Sequence, residues 1–199
     1  MKKTLSIVSK MLLGVAVMSL SFGMTSCKDN KETDPKEMAE DENEMKFDDT
    51  NEAKEDDSDY LVFAADVNMK EIQMGKLAQQ KSTNADVRAY AEMMINDHTK
   101  ALEALKKTAE AKNISLPTAL SEDAQKAYDD LNDEKAEDFD KKYVDMMVDG
   151  HEKIIKKMEK ASEQANDEEI RMWAADMLPT LRTHHDEAER LKDKLDAMK

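Results

Sequence analysis

Three of the chain's four histidines, His98, His151 and His184, fall near the middle of three different stretches of helical apolar periodicity, each on the apolar side. A fourth such stretch carries Glu71 in the matching place. Packed as antiparallel helices, these stretches bring one carboxylate and three imidazoles to a common height, within roughly one turn at ~1.5 Å of rise per residue. A buried layer of that kind must be satisfied, either by hydrogen bonds that fix helix register or by a metal. Neutral imidazole suits zinc, copper, iron and nickel, and one carboxylate completes four ligands. Glu71, His98, His151 and His184 are therefore the candidate metal ligands, with a purely hydrogen-bonded layer as the competing reading.

Residues around this layer sharpen the expectation. Asp97 and Glu152 adjoin their histidines, about 100° round the helix, which places them on the rim. From there Asp97 can orient an imidazole of a neighbouring helix, and Glu152 is its counterpart on the third helix. His185 points away from the face of His184 and reads as a surface residue. Met74, Met94, Met147 and Met177 are expected to fill core space, with ligation of copper(I) the alternative. Gly75 and Gly150 lie within a turn of Glu71 and His151, where they either make room for a ligand or let helices approach closely.

The elements that must position these groups are four long helices. The first spans about 59–81, with Asp59 as its cap and Phe63, Val67, Glu71, Met74 and Ala78 inward. The second reaches about residue 112, with Val87, Ala91, Met94, His98, Leu105 and Ala109 inward. Asn113 stops it, and Leu116-Pro117 enforces an extended step. Ser121-Glu122-Asp123 opens a short helix that ends near Leu131. The third long helix covers about 134–163, and the fourth runs from the Asn166-Asp167 turn toward the C-terminus through Leu181, His184, Ala188 and Leu191. Pro179 lies inside the fourth, where proline usually kinks a helix. Short turns within each helix pair and a longer central connection suggest an all-α, up-down antiparallel four-helix bundle with a short extra helix in the central connection.

Two zones precede this domain of 59–199. Residues 1–26 read as a secretory signal: a basic head at Lys2 and Lys3, an apolar run over 5–20 and small residues after it. Met24-Thr25-Ser26-Cys27 resembles a bacterial lipobox, with methionine in place of the usual leucine. It implies lipidation of Cys27, the only cysteine, which has no partner for an internal disulfide. The expected location is the cell envelope, anchored by lipid, at an outer membrane and facing the periplasm or the surface. Residues 27–58 read as a disordered, self-repelling tether: from Lys28 to Ser58 there are 14 acidic and 5 basic residues and few apolar ones. The whole chain has a formal net charge of −15, which argues against nucleic acid and anionic membrane surfaces as partners.

Several motifs resemble one family in the same order along the chain. They are Glu71-Ile72-Gln73-Met74-Gly75-Lys76-Leu77-Ala78, Met94-Ile95-Asn96-Asp97-His98, Phe139-Asp140 with Tyr143, the stretch from Val148 to Lys153 around His151, and Leu178-Pro179 with Leu181 and His184. Together, from about Tyr60 to Leu191, they resemble the bacterial domain-of-unknown-function 4142 family. The resemblance implies a ferritin-like four-helix bundle, common on exported proteins and without established activity. Gln73 stands where a second acidic residue is often found, and Gly150 where an aspartate often precedes the histidine.

Di-iron chemistry on such a bundle uses glutamates from two helices and Glu-x-x-His from the other two. Here Ile95, Val148 and Leu181 occupy the position three before each histidine, so a ferroxidase or oxygenase is disfavoured. No phosphate loop, nucleophile constellation or paired catalytic carboxylates appear, and an enzyme ranks third. The first reading is a lipid-anchored module binding a zinc, copper or iron ion, or a small ligand, in its core. The second is a structural or stress-related envelope protein whose polar layer sets register alone.

Overall fold

The computed structural model describes residues 33–47 and 51–198. The signal-type segment 1–26 and Cys27 lie outside the described residues. Six helices follow one another: α1 Pro35–Phe47, α2 Glu52–Lys81, α3 Ala85–Lys112, α4 Glu122–Asn132, α5 Phe139–Gln164 and α6 Glu168–Asp196. No strand occurs among the described residues. The helices form a bundle in which α2 pairs with α3 and α5 with α6, while α2 also packs on α5 and α3 on α6.

Helix ends follow the local chemistry read from the sequence. The Asn84 side chain accepts the N–H groups of Asp86 and Val87. Ser121 accepts that of Ala124, and Asp167 those of Glu169 and Ile170. Asn113 ends α3 in the left-handed region at φ 59°, a conformation asparagine tolerates better than most residues. Helix α6 runs unbroken through Pro179. At Gly75 an added Cβ would lie 2.9 Å from Ile95 Cγ1 and 3.2 Å from the Ala91 carbonyl, so this glycine serves close packing of α2 on α3.

Three expectations are corrected. The third long helix begins at Phe139 rather than near Glu134, because the intervening residues take tight turns onto the Lys135 carbonyl. The first long helix begins at Glu52, and Asp59 lies inside it rather than capping it. Its early residues are held by burial of Asp57, whose two carboxylate oxygens accept the Asn166 and Asp167 backbone N–H groups at 2.7 Å each. This seats the start of α2 against the turn between α5 and α6.

The third correction concerns the proposed tether, much of which is ordered. Asp34 accepts the Lys36 N–H, Pro35 sits in the first turn where its missing donor is harmless, and Ala39, Asn43 and Phe47 form one buried stripe at i, i+4, i+8. Composition hid this because the stripe is short and its middle member is polar. Phe47 joins the core with Tyr60 and Leu61. The fully buried Asn43 donates to the Ser115 carbonyl at 2.9 Å and accepts the Ser115 N–H at 2.7 Å. Asn43→Ala would remove both bonds to the half-buried Ser115 backbone, a loss of about 1–2 kcal/mol in total. We expect urea denaturation to show a loss in that range; an unchanged midpoint would mean that α1 does not hold to the bundle.

Candidate metal centre

Helices α3, α5 and α6 bring His98, His151 and His184 together. Their ring centroids are 5.7 Å (98–151), 5.3 Å (98–184) and 5.4 Å (151–184) apart. One nitrogen from each lies within 4.8 Å of the others. All three side chains are at most 2 % exposed.

The hydrogen bonds assign the protons. His98 Nδ1 is 2.9 Å from Asn68 Oδ1, and the Asn68 amide NH₂ donates to the Ala64 carbonyl at 2.7 Å. The amide oxygen therefore faces the ring, and Nδ1–H must donate to it. His151 Nδ1–H donates to the Met147 carbonyl at 2.8 Å. His184 Nε2–H donates to Asp97 Oδ2 at 3.2 Å. Each outward nitrogen thus carries the proton, and each inward one, His98 Nε2, His151 Nε2 and His184 Nδ1, is a lone pair with no partner. An oxygen acceptor behind the ring is the usual support of a metal-binding histidine, since it fixes tautomer and orientation.

Glu71 is 1 % exposed, and neither of its carboxylate oxygens has a hydrogen-bond partner. The group whose ligand atoms all lie within 4.8 Å of one another is the three imidazoles, without Glu71. Lys70 Nζ is 3.6 Å from Glu71 Oε1, and a Cβ on Gly150 would come within 3.2 Å of that oxygen. Gly150 therefore provides space for the carboxylate. Glu152 is exposed and faces Lys156 at 3.4 Å, so it supports none of the imidazoles. His185 is more enclosed than a surface residue, at 16 % side-chain exposure, with Glu189 3.7 Å away. Met74, Met94 and Met147 are fully buried in one apolar cluster with Tyr143, as core filler would be.

Two contributors escaped the sequence reading. Asn68 lies three residues before Glu71 and so shares its face, a signal that was available. Tyr90, which donates to the backbone carbonyl of His184 at 3.1 Å, gave none, because its partner is 94 residues away.

The family profile described as "Domain of unknown function (DUF4142)" matches residues 42–191, most of the chain. The chain belongs to the DUF4142 family. A solved structure, a DUF305 fragment from Deinococcus radiodurans, resembles this DUF4142 chain with a TM-score of 0.62 at 10 % identity, over 69 % of this chain and 95 % of that one. At that identity the likeness bears on the helical fold alone. None of the curated proteins matches.

Burial sets the electrostatics of the DUF4142 trio. Desolvation holds His98 well below the usual imidazole range, with the other two rings adding to the effect. It pushes His151 down to about 4 against the raising influence of the Met147 carbonyl. It lowers His184 as well, opposed by Asp97. Desolvation raises Glu71, with Lys70 opposing.

These directions fix the pH response of the metal-free chain. Below the ordinary value of 6.5 the unfolded imidazoles take up protons that the folded ones refuse, down to about 4 for His151. The unfolded state then binds more protons, so stability falls as pH drops through that window. Glu71 acts oppositely, retaining a proton that the unfolded chain releases, but it is one group against three. Urea midpoints should fall between pH 7 and pH 5, and the combined His98→Leu, His151→Leu and His184→Leu variant should flatten that slope. An equal slope in both chains would show that the trio does not govern it.

Proposed function

We propose that this chain binds one transition-metal ion in its helical core through His98, His151 and His184, with Glu71 supplying nearby negative charge. The observation that carries the reading is the convergence of three unpartnered lone pairs with no N–H group among them. A self-contained hydrogen-bonded layer needs donors facing acceptors. Here every donor is already used outward, and a protonated Glu71 would supply only one more. A cation satisfies all three nitrogens together. Imidazole donors with a carboxylate nearby favour zinc, copper or iron over magnesium or calcium. Asn68, the Met147 carbonyl and Asp97 hold the rings so that little reorganisation accompanies binding.

We extend the proposal to setting and architecture. The lipobox-like Met24 to Cys27 favours a lipid-anchored envelope protein. The packing of α2, α3, α5 and α6 favours a ferritin-like four-helix arrangement, with α4 in the connection and α1 as an outer addition. A binding role ranks above an enzymatic one.

Metal analysis of the purified full chain should find close to one equivalent of zinc, copper or iron, lost in His98→Ala. The variant with all three histidines changed to leucine should stay helical and ignore added metal. A folded wild-type chain indifferent to zinc, copper and iron would leave the buried layer a structural device. Separately, Cys27→Ser should move the protein from the membrane to the soluble fraction; unchanged partitioning would remove the lipid anchor.

A further inference from the structure

We infer that the metal centre keeps one coordination position open to a small monoanion, which arrives through a cleft between α3 and α6. This rests on the metal reading above and goes beyond it, because it distinguishes a closed storage site from one that receives a ligand.

Three observations converge. First, the trio offers three nitrogens and Glu71 stands outside it, engaged with Lys70 at 3.6 Å. Three protein ligands are the pattern of a site that holds an exogenous molecule in its remaining position, whereas closed structural sites supply four. Second, a cleft of about 290 Å³ is lined by Asp97, His98, Lys100, Ala101, Thr180 and His184, among others, so it comes up against two of the three rings, with their unpartnered nitrogens enclosed behind them. Its Asp97 wall is the same carboxylate that holds His184 Nε2–H. On the other side, the space left by Gly150 is taken by Glu71 itself.

Third, charge selects the ligand. A divalent ion on three neutral imidazoles brings two positive charges into desolvated surroundings. Glu71 offsets at most one, and Lys70 draws on that same carboxylate. A buried excess of positive charge favours a bound monoanion over a neutral molecule of equal size. Lys100, on the cleft wall, adds positive charge where the ligand would enter, although Asp97 faces it at 3.3 Å.

The test loads the full chain with cobalt(II), whose visible spectrum reports its ligands, and titrates azide. The expected result is a saturable spectral change. Ala101→Phe, which narrows the cleft without touching a metal-binding residue, should weaken azide about ten-fold or more while leaving cobalt binding unchanged. Thr180→Phe, on the exposed opposite wall, does the same if Ala101→Phe does not fold. A chain that binds cobalt and ignores azide overturns this inference and leaves the metal reading standing. So does an azide response that neither variant weakens, because it removes the route. A chain that binds no cobalt overturns this inference, and one that also ignores zinc, copper and iron overturns both.

Discussion

Three imidazoles withdrawn from water, each donating its N–H to an oxygen behind it, define the interior of this protein. Taking a polar ring out of water is unfavourable unless its nitrogens are paired. Only the outer nitrogen of each ring is paired here. The three inner lone pairs repel one another and point at the same small volume. Everything around them serves to maintain that condition: Asn68 is held by the Ala64 carbonyl, Asp97 stands at the surface with Lys100, and Gly150 leaves space for Glu71.

The rest of the fold keeps the four long helices in register. Asp57 holds the turn between α5 and α6 to the start of α2. Asp66 accepts both the backbone N–H and the hydroxyl of Ser121, which fixes the start of α4 on α2. Asn43 holds α1 to the connection after α3. Each is a buried or half-buried polar side chain satisfying the backbone of a remote turn. Such bonds contribute modestly when made and are unfavourable to leave unmade, so they select one arrangement of helices that apolar packing alone would leave more permissive.

Much of this was legible in the sequence. The helical spacing of Met94, His98, Ala101 and Leu105, and of Met147, His151, Ile154 and Met158, gave both the elements and the inward direction of the histidines. The stops at Asn113 and around Asn166 and Asp167 were chemical signals of the right kind. The beginning of the domain was not legible, because Asp57, Ser58 and Asn43 look like solvent-exposed residues until a remote turn claims them. Composition could not see α1, whose stripe has only Ala39 and Phe47 as apolar members. Spacing along one helix also could not show that the Glu71 carboxylate lies against Lys70 and in the gap at Gly150. Asp97 and Glu152 looked equivalent by position and differ because only Asp97 has a histidine across from it.

The three rings are not restrained in the same way. His151 leans on the carbonyl of its own helix, and His98 on Asn68 of the helix it is paired with in the chain. Only His184 draws its support from the other helix pair, through Asp97 and through Tyr90 at its backbone. Each half of the molecule thus arrives with one ring already aimed, and docking of the halves completes the third. An ion seated there would bridge the two halves at mid-height, like a rivet through two folded sheets, and parting them would require pulling it out.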